Sequence, residues 1–550
     1  LSQKTIIAQT VMSLGVFGAL IIGEWITALI IVFFMRVGDA IESYTTNRAR
    51  SSLKSLTTMV PRTACIIKEG KEGFIPIEDV CVDDIVLIRP GETVPVDGVV
   101  RSGQAAVDQS SVTGESLPVD VYQGSHVYAA TIVRQGSVQV STTRVGKDTT
   151  FGHVVRIVEE AEGNRSEIQS FADKFSGYFL PLVLLAAALT YILSGDPLST
   201  VAVLVVSCSC AIALATPIAM LASIGAAAKH GLLIKGGKYI EALARADVLL
   251  IDKTGTVTFG EPRITDILPI NGYTADELLR MTASVEAYSE HALAEAVIQT
   301  ARERHIDLEE ITNFSSTPGQ GIQANYQGST VRVGNERFIA PQINIANLEL
   351  LEIPGRTRLL VSCDGVLAGV IAAADTLRPE VPEALEAIKG LGVEQMMLLT
   401  GDNRGTADSL AAQLNIPYRA NLLPEDKIKI VEEFQLEGHY VVMVGDGVND
   451  APALAKADVG IAMGVAGSDI AIETAHIALM REDWSLIPQL FEIASRTMGV
   501  VKMNLAFTGI FNLLGITLAA FGILPPVLAA ASQSIPDIAI LTNSSRLLNQ

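Results

Sequence analysis

The sequence predicts a multidomain α/β protein joined to an all-α transmembrane bundle. Three observations carry this. Apolar runs come in pairs: within 6–41, then 178–193 with 200–221, then 500–521 with 524–541. Residues 60–150 hold short β-rich runs. Three short apolar strands, 248–251, 396–399 and 440–444, each end at an acidic loop. That last pattern belongs to a doubly wound sheet whose site lies at the strand ends.

The paired spans fix the topology. Their turns are short: Gly23-Glu24, Ser194-Gly195-Asp196-Pro197 and Gly522. Some spans fall below the roughly 20 residues a crossing helix needs, but hairpins of apolar segments are hard to place in a soluble core. Each pair returns the chain to the side it left, so residues 42–175 and 225–498 share one face. Arg48, Arg50, Lys54 and Arg62 flank the first pair; Lys229, Lys235 and Lys238 follow the second. The turn 194–199 has no Lys or Arg. The positive-inside rule therefore places both soluble blocks in the cytoplasm, at the plasma (inner) membrane.

Composition agrees. The chain is 550 residues, 49% hydrophobic and only 5% aromatic, which suits a membrane protein with large soluble parts. A net charge of -20 excludes a nucleic-acid partner, because no basic stripe is present to release counterions. Five scattered cysteines exclude a disulfide framework. The chain begins at Leu1 rather than Met, and we expect an N-terminal truncation.

The first soluble block reads as a small β domain. Pro90-Gly91-Glu92 and Asp97-Gly98 mark turns between its runs, and Thr113-Gly114-Glu115-Ser116 forms a loop. In the second block, Asp252 ends a buried strand and opens Asp252-Lys253-Thr254-Gly255-Thr256-Val257-Thr258. A carboxylate at a sheet's carboxyl edge can attack a phosphoryl group while the following Gly and Thr residues cradle its oxygens. The other acidic loops are Thr400-Gly401-Asp402-Asn403 and Gly445-Asp446-Gly447-Val448-Asn449-Asp450, with Lys427 following Pro424 between them.

These motifs resemble the P-type ATPases, ion pumps that pass through an aspartyl-phosphate, and the resemblance runs from the first hairpin to Arg546. It implies a haloacid-dehalogenase-like phosphorylation domain with an inserted nucleotide-binding domain, and a β-rich actuator domain. By resemblance, Asp252 is the nucleophile, Thr400 holds the phosphate and Lys427 neutralises it. Mg²⁺ would be bound by Asp252, Thr254, Asp446 and Asp450, with support from Asn449. Glu115 would activate the water that hydrolyses the phosphoenzyme. Phosphatases of this fold usually carry a second Asp two residues after the nucleophile. Here that position is Thr254, so the phosphoenzyme should persist until another domain supplies a base. The insertion carries Glu286, His291, Gly319 and Gly321, which resemble the ATP site of the heavy-metal (type IB) subfamily. There, Glu and His sit near adenine and the glycines let the backbone approach the nucleotide. Ala292 stands where that subfamily has Pro.

The transport segment reads Val206-Ser207-Cys208-Ser209-Cys210, with Pro217 downstream. Two thiols in a membrane segment are candidate soft-metal ligands. The segment resembles the subfamily's Cys-Pro-Cys, with Ser209 where Pro is usual. Residues two apart on a helix point about 200° apart, so both sulfurs reach one ion only if the helix unwinds. Either residues 208–213 are unwound or only one Cys serves the primary site. In the last pair of spans, Asn512, Gln533 and Asp537 are the candidate companions. Asp537 is also readable as an interfacial cap after Pro536. Two thiolates and a carboxylate favour a divalent ion.

The expected domains are a transmembrane hairpin over 1–45, the actuator over 46–165 and a hairpin with the Cys-Ser-Cys motif over 166–224. The phosphorylation domain follows over 225–262 and 374–498, interrupted by the nucleotide domain over 263–373. A last hairpin spans 499–550. The expected function is ATP-driven export of a transition or heavy metal (Zn, Cd, Co or Mn), with Cu⁺ export as the alternative. A membrane-anchored phosphatase or a metal sensor is the reading from another class. The expected partners are the bilayer, ATP and a cytoplasmic metal carrier.

Overall fold

The computed structural model describes residues 9–57, 61–68, 71–113, 118–161, 167–207, 210–289, 292–317, 320–339, 356–402, 404–447, 450–464 and 469–549. The chain divides into two compact units: Leu1–Ala246 with Ile461–Gln550, and Asp247–Gly460.

The first unit contains a helical bundle and a β domain. The bundle's helices are Gln9–Ile21, Trp25–Thr57, Glu167–Ser194, Pro197–Val206, Cys210–Lys229, Leu486–Ala520, Pro526–Ser532 and Ser534–Ser545. Among the described residues, Leu486–Ala520 alone is long and apolar enough to cross a membrane by itself. The 200–221 run expected as one span is split, because helix stops at Val206 and resumes at Cys210. Its first part starts sharply for a local reason. Asp196 accepts from the backbone N–H of Leu198 (3.1 Å) and Ser199 (3.0 Å), and Pro197 occupies the first turn. This helix is the hub of the bundle: Val201, Ala202, Val203, Val205 and Val206 are all buried, against Ala19, Ala187, Ala519 and Ala529. The small partners let backbones approach closely, as helices in lipid require. The outer helices expose apolar side chains, including Leu185, Ile192, Ile510, Leu513 and Leu514, a surface suited to lipid.

The β domain is built from β1 (Thr63–Lys68), β2 (Lys71–Pro76), β3 (Ile85–Ile88), β4 (Asp97–Asp108), β5 (Val119–Val121), β6 (His126–Val127) and β7 (Ile132–Arg144). They form one antiparallel sheet in the order β2-β1-β3-β7-β4-β5, with β6 also on β4. Its valines alternate into a core of Val86, Val94, Val96, Val100, Val107, Val133, Val138 and Val140. The buried Asp97 carboxylate accepts from Ala129 N (2.7 Å), Thr150 N (2.6 Å) and Thr150 Oγ1 (2.8 Å). That ties the sheet to the start of the Thr150–Ala161 helix. The same unit holds β8 (Leu232–Ile234), which pairs antiparallel with the strand Ile477–Leu479.

The second unit has two sheets. Strands β9 (Val248–Asp252), β16 (Gln395–Leu399), β17 (Tyr418–Arg419) and β18 (Val441–Gly445) are parallel, in the order β17-β16-β9-β18. Every residue of β9 and β18 is buried, so both read as unbroken apolar runs. The second sheet is antiparallel. It holds β10 (Thr258–Pro269), β11 (Ile311–Thr317), β12 (Gly321–Tyr326), β13 (Ser329–Gly334), β14 (Thr357–Cys363) and β15 (Val366–Leu377), ordered β10-β15-β14-β13-β12-β11. Helices Ala275–Glu286 and Ala292–Glu303 supply its core through Leu278, Leu279, Met281, Val285, Val297 and Ala301. The chain leaves the parallel sheet along β10 and returns along β15, which pair with each other.

Candidate phosphoryl-transfer site

The site lies at the carboxyl ends of β9, β16 and β18. Asp252 is the last residue of β9 and is buried. The backbone then leaves helical geometry at Thr254 (φ -78°, ψ 127°) and turns at Gly255, whose φ is +68°. Glycine suits that left-handed value, and the turn runs close to Asp446: a Cβ added at Gly255 would stand 3.6 Å from the Asp446 Cβ.

Lys427 enters from the first turn of the Pro424–Leu436 helix. Its Nζ is 2.6 Å from Asp252 Oδ1 and 2.5 Å from Asp450 Oδ1. All three groups are buried. Burial, and then the negative charge of Asp450, pushes the Asp252 carboxyl up to about 7, against the pull of Lys427. Burial likewise raises Asp450. Burial opposes the charge on Lys427, but its two carboxylate neighbours prevail and hold its pKa above the usual value. The centre thus has more carboxylates than cations. Thr400 is buried at the end of β16, and its Oγ1 accepts from Asp402 N at 3.0 Å.

A second layer escaped the sequence reading. Lys253 Nζ is 2.6 Å from Asp402 Oδ2 and 4.0 Å from Asp375 Oδ2. Asp375, on the returning strand, accepts from Thr258 Oγ1 (2.5 Å) and Gly260 N (3.0 Å) on the departing one. Arg378 is buried, donates to Val257 O (2.9 Å) and Thr258 O (3.2 Å), and lies over the Phe259 ring at 4.7 Å. These bonds staple the exit of the insertion to its return. The only sequence signal was the acidic and basic pair Asp375 and Arg378 at the end of an apolar strand. A cavity of about 730 Å³ opens beside them, lined by Lys253, Thr258, Arg356, Asp375 and Asp402.

In the inserted sheet, Glu286 ends its helix as a buried carboxyl that burial pushes up to about 7, with a Ser289 hydrogen bond opposing. Gly321 pairs with Gly334 across β12 and β13. A Cβ at Gly321 would meet Val333 O and stand 2.6 Å from the Phe338 ring. Strand contact and the Phe338 ring by themselves require a glycine here, alongside the nucleotide approach expected for it. Glu115, His291, Gly319, Asn449 and Cys208 lie outside the described residues.

In the bundle, Asn512 is buried and Asp537 half-buried. Asn504 is engaged by Ser544 (3.1 Å) and Asn543 (2.8 Å). The amide of Gln533 donates to Val205 O. The Pro197–Val206 helix ends at Ser207 (φ -84°, ψ 55°); of the stretch expected to unwind, residues 208 and 209 lie outside the described residues and 210–213 are helical. Pro217 lies within the second helix without breaking it.

Fold and site together define a membrane-anchored haloacid-dehalogenase-type phosphotransferase. Residues 246–458 match the haloacid dehalogenase-like hydrolases, and residues 58–159 match the P-type ATPase actuator domain. A copper-exporting P-type ATPase of Bacillus subtilis (strain 168) is 40% identical over 537 residues, 95% of this chain and 67% of that protein. A cadmium-transporting ATPase of Staphylococcus aureus is 36% identical over 561 residues, 98% of this chain and 77% of that protein. The crystal structure of a zinc-transporting PIB-type ATPase in the E2.Pi state superposes with a TM-score of 0.68 at 31% identity, covering 98% of this chain and 90% of that one. The chain belongs to the heavy-metal (type IB) P-type ATPases. It is an ATP-hydrolysing, ion-translocating enzyme integral to the membrane.

Proposed function

We propose that this pump exports a divalent transition or heavy metal from the cytoplasm, and that Asp252 carries the phosphoryl group between two transport states. The observation that carries the reading is the Asp252–Lys427–Asp450 cluster with Thr254, rather than a second Asp, two residues after the nucleophile. Asp252 attacks the γ-phosphorus of ATP, the bond to the β,γ-bridging oxygen breaks, and ADP leaves. Lys427 and Thr400 stand beside it to counter charge on the transferred group. Nothing at position 254 can serve as a carboxylate base, so the phosphoenzyme lasts until Glu115 of the actuator domain activates a water.

Mg²⁺ fits the surplus of carboxylates over cations around Lys427. Among the described residues no three acidic, His or Cys side chains form a ready-made cage, so phosphate oxygens and water would complete the shell of an ion held here. We assign Mg²⁺ to Asp252, Asp446 and Asp450, with Thr254 at its side. When bound, it lowers the repulsion between a carboxylate and a phosphate. Glu286, His291 and Gly319 are our candidates for the adenine end of the nucleotide, with Gly321 packing beneath them.

For the transported ion we assign Cys208, Cys210 and Asp537, with Asn512 as a neutral polar neighbour. Two thiolates and a carboxylate suit Zn²⁺ or Cd²⁺. The similarity to the zinc- and cadmium-transporting proteins supports that choice. Similarity to a copper exporter supports Cu⁺ as the second reading. A cytoplasmic carrier is a reasonable source of either ion. ATPase activity of the full chain across Zn²⁺, Cd²⁺, Cu⁺, Co²⁺, Mn²⁺ and Ni²⁺ tests the proposal: Zn²⁺ and Cd²⁺ should stimulate most. Activity indifferent to every metal, or surviving Asp252→Asn, overturns it.

A further inference from the structure

We infer that Gln533 is a positioning residue: with Ser207, it holds the end of the Pro197–Val206 helix by binding backbone, and it does not ligate the transported ion. This rests on the reading of that stretch as the transport segment.

An α-helix leaves its last four carbonyls without intrahelical donors. The Pro197–Val206 helix ends in the middle of the bundle, where Val205 and Val206 are buried. In such surroundings water does not satisfy the freed carbonyls, so a break persists only if protein groups do. Two side chains do this here. Ser207 Oγ donates to Val203 O at 2.6 Å, and the Gln533 amide donates to Val205 O. In a continuing helix, Val205 O would instead receive the N–H four residues on. Gln533 therefore takes the place of a helical hydrogen bond and removes part of the gain from winding the helix onward.

The same turn is fixed from two other sides. A Cβ at Gly15 would stand 2.7 Å from Val205 Cγ2, and one at Gly515 would stand 2.7 Å from Val206 Cγ2. Two helices meet the turn without side chains, and a third element supplies its hydrogen bond. Gln533 itself sits at the junction of the Pro526–Ser532 and Ser534–Ser545 helices. Pro536 brings no N–H to that junction, so Ser532 O also lacks its helical donor. The interruption is thereby coupled to the final span.

Gln533→Met separates positioning from ligation, because Met offers a soft sulfur and no donor. In the full chain we expect the metal concentration for half-maximal ATPase stimulation to rise about tenfold or more. Phosphorylation of Asp252 by inorganic phosphate, read without transported metal, should stay intact and reports that the fold survives. Hydrogen exchange at the amides just after Val206 should slow, as the helix winds on. Ser207→Ala should shift both readouts in the same direction. Unchanged or tighter metal activation in Gln533→Met makes Gln533 a ligand or a bystander and overturns the inference. So does unchanged exchange after Val206, whether or not the wild type responds to metal. A wild type indifferent to every metal, with the exchange effect intact, overturns the transport reading instead.

Discussion

Lys427 Nζ lies 2.6 Å from Asp252 Oδ1, joining residues 175 positions apart in one buried ion pair. The same ammonium reaches Asp450, so one cation serves two carboxylates at the end of a parallel sheet. A buried pair of this kind is costly to break, because the surviving charge is left without a partner. It also places a fixed positive charge where the proposed phosphoryl transfer would bring a phosphate.

Lys427→Met should therefore fail twice. It should lower formation of the acid-stable phosphoenzyme from radiolabelled ATP by about 100-fold or more. It should also destabilise the second unit by about 3–5 kcal/mol. Phosphoenzyme at wild-type level would show that Asp252 is not the acceptor that Lys427 serves.

Asp375→Asn tests the staple between departing and returning strands. Asn keeps one acceptor for Thr258 or Gly260 but loses the charge facing Lys253. We expect phosphorylation to slow about tenfold through misplacement of the nucleotide relative to Asp252. Phosphorylation by inorganic phosphate should change much less. Equal slowing of both would place Asp375 at the acceptor itself.

Glu286 makes the stability of the inserted domain depend on pH. Its folded pKa, about 7, lies above the ordinary value of 4.5 because of burial. The folded state therefore holds a proton that the unfolded state releases. Its contribution is fully present below about pH 4.5 and is lost as pH rises through 7. Hydrogen exchange of the Ala275–Glu286 helix should accelerate from pH 5 to pH 8, after correction for intrinsic exchange. Glu286→Gln should flatten that dependence; an identical slope in both proteins would rule Glu286 out as its source.

Gly321→Ala distinguishes packing from nucleotide approach. The added methyl meets Val333 O and the Phe338 ring, so we expect about 1–3 kcal/mol of destabilisation. Thermal unfolding of the purified chain should fall together with ATP affinity. A loss of ATP affinity at unchanged stability would restore the nucleotide-approach role.

Much of this was legible in the chain. Val248 to Ile251 and Val441 to Val444 are unbroken apolar runs because both their faces are buried, and the acids that follow mark the carboxyl edge of the sheet. The capping Asp196 and Pro197 likewise announce a helix start from neighbouring residues alone. The staple formed by Asp375, Lys253, Asp402 and Arg378 was not legible. Asp375 and Thr258 are 117 positions apart and meet only because β10 and β15 pair. The packing role of Gly321 was hidden for a similar reason: its neighbour Gly334 and the Phe338 ring come from the strand and short helix that follow.

The sequence by itself determined the strands, the paired apolar runs and the acidic loops at the carboxyl edge of the parallel sheet. Each of these depends on residue type over a short window. Only the tertiary structure decided where the transport helix is interrupted. Local reasoning offers either unwinding over residues 208–213 or a primary site served by one Cys, from the thiol spacing and Pro217. In the folded chain the first helix ends at Val206, where Ser207 donates to Val203 O and an amide from Gln533, 328 positions beyond Val205, donates to Val205 O. A break in a buried helix occurs where donors are available to its backbone, and those donors are assigned by packing.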